Sequence, residues 1–259
     1  MRYFLHLSYQ GANFHGWQNQ KDKISIQEVL ETTLSKMLKT RTTIHGCGRT
    51  DAGVNASQYI CNIDITEPIN YDFVFRINKN LPKSIVVYDL IPVADDANAQ
   101  LDATRRTYDY YCHFNENPFL KDLSTFYDLK DLDFVSMKKA SQLLLGNLSF
   151  GAFCKSPDFY QNHFMCDITA VNLFVNKSKS RMLFQISGNR FLRGMVRILL
   201  ANLILVGKGE MSLAEFQHCL DSGENPLHYN VAKPDGLYLS RIEYPFLEVT
   251  PRENCISFR

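Results

Sequence analysis

Apolar and polar positions alternate from the start of the chain: Tyr3, Leu5, Leu7 and Tyr9 occupy every second position, which predicts a half-buried strand. The period then changes. Ile26, Val29, Leu30, Leu34, Met37 and Leu38 recur at helical spacing behind a Ser25–Glu28 capping box. Thr42 to His45 reads as a short strand running into a glycine-bearing loop, Gly46 to Gly53. Tyr59, Cys61, Ile63 and Ile65 alternate again, which predicts a strand from Ser57 to Ile65. Asn70 is the expected opening of a second helix that stops before Pro82, and Ile85 to Pro92, apolar on both faces, reads as a central strand. The predicted order, β-α-β-β-α-β, is that of a ferredoxin-like split unit.

Ala94 to Ala103 is acidic and rich in small residues, and it is the expected boundary between an N-terminal half (1–95) and a C-terminal half (96–259). The second half nearly repeats the order. Tyr108, Tyr110, Cys112 and Phe114 alternate, and Asp133 to Leu145 forms an amphipathic helix closed by Gly146. Strands are predicted at Asp167 to Val175 and Arg181 to Gly188, then a long helix from near Arg190 to just before Gly207. Ser212 and Glu215 cap another helix, and Leu237 to Tyr244 is the last strand. Asn115 to Leu132 and Phe150 to Cys166 predict only loop and short turns. The fold class is therefore α/β (α+β), built from two copies of one unit. Two sheets joined edge to edge would leave a cleft, a natural binding site.

Composition excludes several function classes. The longest apolar run, Ile198 to Val206, is broken by Asn202 and is too short for a membrane span. No basic stretch leads into an apolar one at the start, so a signal peptide is not expected and a cytoplasmic location is. Seven cysteines are scattered singly, without CxxC spacing, which argues against a disulfide framework and against a zinc ribbon. His163–Cys166 and His218–Cys219 are isolated pairs, and no metal is expected. The net charge of +1 is far from the basic balance typical of nucleic-acid binders, so any RNA site must come from local placement of arginine and lysine.

The densest chemical signal is GCGRTDAG, residues 46–53. It lacks the Lys-Ser/Thr ending of a phosphate-binding loop and does not fit the dinucleotide fingerprint. What remains is Asp51 on a tight turn between Arg49, Thr50 and Gly53, where small residues let a ligand approach the backbone. Spacing alone favours the plainer reading, an aspartate that supports its own turn. Arg190, Arg193 and Arg197 stand at i, i+3 and i+7, one face of the predicted long helix. The first two suit a solvated helix start; Arg197 lies deeper and calls for an anionic partner. Arg105 and Arg106 precede Tyr108, Tyr110 and Tyr111, a basic–aromatic combination able to hold phosphates and stack bases, although core packing accounts for at least two of the tyrosines. Trp17 is read equally as a cap over the core or as an RNA contact.

Five blocks, YQGANFHGWQ, GCGRTDAGVNA, TRRTYDYY, GNRFLRGMVR and KPDGLYLSRIEYP, occur in an order and over an extent that resemble the tRNA pseudouridine synthase A family across nearly the whole chain. The resemblance implies the pseudouridine synthase fold, with two ferredoxin-like halves around a basic catalytic cleft, and a homodimer that grips tRNA without cofactor or metal. It implies Asp51 as nucleophile, Arg197 as the cation that keeps it ionised, Tyr108 as the ring stacking on the target uracil, Leu237 as a pocket wall and Arg49 as an aid to displacing the base. With Thr50, Arg193, Arg105 and Arg106, the last two complete the substrate-binding set. The implied reaction breaks the N1–C1′ bond of uridine, rotates the base and rejoins it through C5, after the nucleotide has been flipped out of its stack. Asp51 could attack the base or assist glycosidic cleavage.

The chain departs from the family pattern at Asn55, where histidine is usual, at Leu148 and Ser149 of the Leu-Ser-Phe that replaces His-Asp-Phe, and at Asn98 and Gln100 in ANAQLDA. None of these is the nucleophile, its arginine or the stacking tyrosine. The implied target is the anticodon stem-loop at tRNA positions 38 to 40. The same chemistry on another RNA site, and a catalytically silent RNA-binding or tRNA-folding module, are the alternatives.

Overall fold

The computed structural model describes residues 1–161, 163–224 and 230–252. The chain forms two compact units, Met1–Arg105 joined by residues 238–252, and Arg106–Leu237. The division expected at 95/96 thus falls at Arg105, and the last strand returns to the first unit because it pairs with that unit's sheet.

In the first unit, β1 (Arg2–Tyr9), α1 (Ile26–Leu38), β2 (Ile44–Gly46), β3 (Asn55–Asp64), α2 (Phe73–Asn80) and β4 (Ile85–Pro92) follow the predicted order. β1 lies between β3 and β4, antiparallel to both, with Leu5 opposite Cys61 and Leu90. β2 runs antiparallel along the other side of β3, so Gly46 faces Cys61. Phe4, Leu5, His6, Leu7 and Tyr9 are all buried, so β1 is the strand covered on both faces. β4, expected to be central, is the edge, with Val86 exposed. Its free backbone is not left bare: the Asn78 side chain of α2 donates to Val87 O at 2.7 Å and accepts from Val87 N–H at 2.9 Å. An edge protected in this way can carry an apolar run that reads as central.

α1 begins where Ser25 Oγ accepts the Glu28 N–H at 3.1 Å. α2 begins at Asp72, whose carboxylate accepts the Phe75 N–H at 2.9 Å, and not at Asn70. An aspartate satisfies an orphan helix donor as well as asparagine does, and sequence alone offers both.

The second unit has β5 (Arg105–His113), β6 (Thr125–Phe126), α3 (Phe134–Gln142), β7 (Gly146–Ser149), β8 (Met165–Val175), β9 (Arg181–Gly188), α4 (Met195–Gly207) and α5 (Leu213–Ser222). β9 lies antiparallel between β5 and β8, placing Tyr108 opposite Ile186; β7 extends the sheet beyond β8 and β6 lies parallel beside β5. Ser212 and Glu215 form the complete capping box of α5. Gly146, expected to close a helix, opens β7 at φ +105° instead. β10 (Leu237–Glu243) crosses back to the first unit, pairing parallel to β3 through Tyr238–Asn55 and Leu239–Ala56.

One correction bears on function. The long helix starts at Met195, not near Arg190, because Gly194 sits in the left-handed region at φ +71° and ends the turn that precedes it. Arg190 and Arg193 are therefore not on the helix, and the three arginines do not share a helical face. No helix among the described residues is long and apolar enough to cross a membrane.

Candidate active site

The Asp51 loop belongs to the first unit and hangs between β2 and β3. Its backbone is fastened from several directions. Cys47 N–H donates to Ile60 O at 2.9 Å, and the Tyr59 hydroxyl donates to Gly48 O. Trp17 N–H donates to Thr50 O at 3.2 Å, while Gly53 N–H reaches Phe14 O at 3.2 Å. Val54 N–H closes the turn on Asp51 O at 3.2 Å, and the Thr50 hydroxyl lies 2.8 Å from the Tyr9 hydroxyl. Thr50 is buried, Asp51 half-buried and Arg49 exposed. The turn thus holds its own geometry through backbone groups and Thr50.

Two glycines let neighbouring chain come this close. A Cβ on Gly16 (φ +87°) would strike Thr50 O, and one on Gly46 would meet the Tyr59 hydroxyl and the Trp17 ring. Trp17 is 4% exposed and stacks on Tyr59 at 4.1 Å and 27°, which settles its two readings in favour of a core cap beneath the loop. Asn55 is 1% exposed and accepts the Gly11 N–H at 2.7 Å. Its amide therefore braces the YQGANF block against the start of β3.

The second unit gathers Arg197, Tyr110 and Tyr111 around one segment, residues 232–237, which ends at Leu237. From α4, half-buried Arg197 donates Nε–H to Ala232 O at 2.6 Å, and Ala232 N–H returns to Arg197 O at 3.2 Å. From β5, the Tyr110 hydroxyl donates to Lys233 O at 2.8 Å, and Tyr111 N–H donates to Gly236 O at 2.9 Å. Gly236 N–H in turn reaches the Thr125 hydroxyl at 3.0 Å. Buried Leu237 follows directly, its N–H on Pro234 O at 2.9 Å. Burial pushes the Tyr110 phenol far above its ordinary range and lifts Tyr127 beside it to about 12, so both stay neutral hydrogen-bonding groups. These two tyrosines, with Thr125 and Gly236, position the segment, a role that no motif in the sequence announces. The available signal is the alternation in β5, which puts Tyr110 on the buried face.

Tyr108 is half-buried and meets the Phe191 ring edge-on at 5.0 Å and 80°. Arg106 donates Nη1–H to Asn189 O at 2.9 Å. Arg105, in the first unit, is ion-paired to Glu243 at 3.3 Å, and Arg241 shares that carboxylate at 3.2 Å. Arg193 is exposed, its N–H on the Tyr160 hydroxyl at 2.9 Å. Among the described residues no three His, Cys, Asp or Glu side chains cluster as metal ligands would.

A family model described as tRNA pseudouridine synthase matches residues 140–245, the stretch that carries Arg197 and Leu237. The likeness to individual proteins runs through nearly the whole chain. The tRNA pseudouridine synthase A of Porphyromonas gingivalis is 34% identical over 248 residues, 94% of this chain and 97% of the relative. The chain belongs to the tRNA pseudouridine synthase A family. Parabacteroides distasonis has a protein of the same name that is 36% identical over 94% of this chain and 96% of its own length. A further one from Vibrio cholerae is 33% identical over 95% and 92%. The mixed α/β architecture is that of the family.

The departures from the family pattern have local explanations. Asn98 accepts the N–H groups of Gln100 and Leu101 at 2.9 and 3.0 Å, an Asx turn that sets the ANAQLDA bend. Leu148 and Ser149 lie on β7, and Phe150 behind them is fully buried.

Proposed function

We propose that this protein isomerises uridine to pseudouridine in the anticodon stem-loop of tRNA, at positions 38 to 40. One observation carries the reading: the family likeness covers 94% of the chain, with the blocks around Asp51, Tyr108, Arg197 and Leu237 all present.

In this reading the Asp51 carboxylate is the nucleophile. Arg197 supplies the positive charge that keeps it ionised, Tyr108 stacks on the flipped uracil and Leu237 forms an apolar wall. Arg49, Thr50, Arg105, Arg106 and Arg193 hold the RNA. The N1–C1′ bond breaks and the C5–C1′ bond forms; C5 loses its proton and N1 gains one. Atoms and electrons therefore balance with no redox partner, and a single carboxylate suffices. The protein would act in the cytoplasm as a homodimer, an assembly that light scattering of the purified chain checks directly.

The deciding experiment is a pseudouridine-specific map of cellular RNA from strains with and without the gene. Loss of sites at tRNA positions 38 to 40 is the expected result. No lost site, together with purified protein inactive on tRNA transcripts, would contradict the proposal.

A further inference from the structure

Beside Arg193, the second unit carries an exposed aromatic and basic surface whose cations have no carboxylate partner among the described residues. Residues 157–160 form a single 3-10 turn held on a rigid base. Phe153 is fully buried against Phe216 at 5.7 Å, and Lys155 N–H donates to Arg193 O at 2.9 Å. On that base Phe159 is 72% exposed, standing edge-on to Tyr160 at 5.1 Å and 84°. Tyr160 is tied down: its hydroxyl accepts the Arg193 N–H, and the Arg190 guanidinium lies over its ring at 5.9 Å. Arg190, Arg193 and Lys155 are exposed, and among the described residues no carboxylate pairs with any of them, Asp158 of the same turn included.

We propose that Phe159, Tyr160, Lys155 and Arg190 form a ledge that binds a nucleotide flanking the target uridine, the ring of Phe159 stacking on an unpaired base and the two cations meeting phosphates. The inference rests on the RNA reading above and adds a surface to it. An exposed ring on a turn tied to Lys155, Arg190 and Arg193, none of which has a carboxylate partner among the described residues, suits a ligand that carries both a flat face and negative charge. An unpaired nucleotide offers both a flat apolar face and a phosphate. The stretch between β9 and α4 links this ledge to the proposed pocket. Arg190 and Arg193 reach Tyr160, while Phe191 between them meets Tyr108. A base stacked on Tyr108 would therefore lie one short stretch of chain away from the ledge. Gly194 favours that course, since its φ of +71° and a Lys155 Cβ only 3.1 Å from any added Cβ would strain other side chains there.

The test uses full-length protein, unmodified tRNA transcript, and the variants Phe159→Ala and Lys155→Gln/Arg190→Gln. All three side chains are exposed, and unchanged melting temperatures confirm intact folds. We expect Phe159→Ala to weaken tRNA binding roughly tenfold, as removal of one stacking ring does. The double variant should lower the slope of log affinity against log salt by about 1 to 2, one for each phosphate no longer neutralised. KM should rise in both while kcat at saturating tRNA holds within about twofold. Wild-type affinity and wild-type salt slope in the variants would overturn the ledge. A parent chain that binds tRNA without forming pseudouridine would overturn the proposed function alone, with affinity and slope still deciding the ledge. Absence of tRNA binding would overturn both.

Discussion

Arg197 and Ala232 hold each other twice: the guanidinium Nε–H donates to Ala232 O at 2.6 Å, and Ala232 N–H donates to Arg197 O at 3.2 Å. A charged donor on a neutral carbonyl fixes the side chain without neutralising it. Its place in the sequence makes one demand of this arginine, an anionic partner. Structurally it also buckles α4 to the segment that delivers Leu237.

Replacing Arg197 should therefore cost both activity and stability. Arg197→Ala removes a charge-assisted hydrogen bond, about 1.5–3 kcal/mol, and should leave less than about one part in a hundred of kcat. Arg197→Lys keeps the charge but not the planar donor, so it should recover stability only partly. Urea midpoints and single-turnover rates check this; a stable, fully active alanine variant would contradict it.

Trp17→Phe should lower stability by about 1–2 kcal/mol through the weakened stack on Tyr59. tRNA affinity of the folded variant should stay within about twofold. Binding that falls while the unfolding midpoint holds would instead make Trp17 an RNA contact.

Gly194→Ala forces a side chain into a left-handed conformation, which costs about 1–2 kcal/mol, and drives its Cβ against Lys155. Because α4 starts at the next residue, activity should fall along with the urea midpoint. An unchanged midpoint would show that the helix start tolerates the shift.

His6, 1% exposed on β1, gives a prediction about pH. Burial lowers its pKa, opposed by the hydrogen bond to Asp89 at 2.9 Å. Nε2 is buried and has no partner among the described residues. The folded state therefore keeps the imidazole neutral where the unfolded chain, at about 6.5, takes up a proton. Stability should be insensitive to this group above pH 7 and should fall as pH drops below about 6.5. His6→Phe should flatten that part of a urea-midpoint profile. A profile that rises toward pH 5, or an unaltered slope in the variant, would count against the assignment.

Most of the first unit was legible in the sequence because its signals are local: alternation in β1 and β3, helical spacing after Ser25, a loop dense in glycine. The errors came where a local pattern continues past a structural break. RFLRGMVR keeps a helical rhythm, yet Gly194 separates the non-helical stretch carrying Arg190 and Arg193 from the helix carrying Arg197. Ile85 to Pro92 is apolar enough to be central, but Asn78 covers the backbone of what is an edge. The Tyr110–Lys233 and Arg197–Ala232 bonds join residues far apart in the chain, and no spacing rule encodes such contacts. Asp51 itself could be picked out only by resemblance, since turn chemistry explains an aspartate there equally well.

The central claim is that Asp51 carries out the isomerisation. Forming the C5–C1′ bond expels the C5 hydrogen, so tRNA transcripts tritiated at uracil C5 release label in step with product. With wild-type protein we predict one equivalent released per modified site. Asp51→Asn, nearly isosteric, should release none above background while binding the transcript within about threefold of wild type and unfolding at the same urea concentration. Release by the asparagine variant at a wild-type rate would contradict the account and return Asp51 to a turn-supporting role.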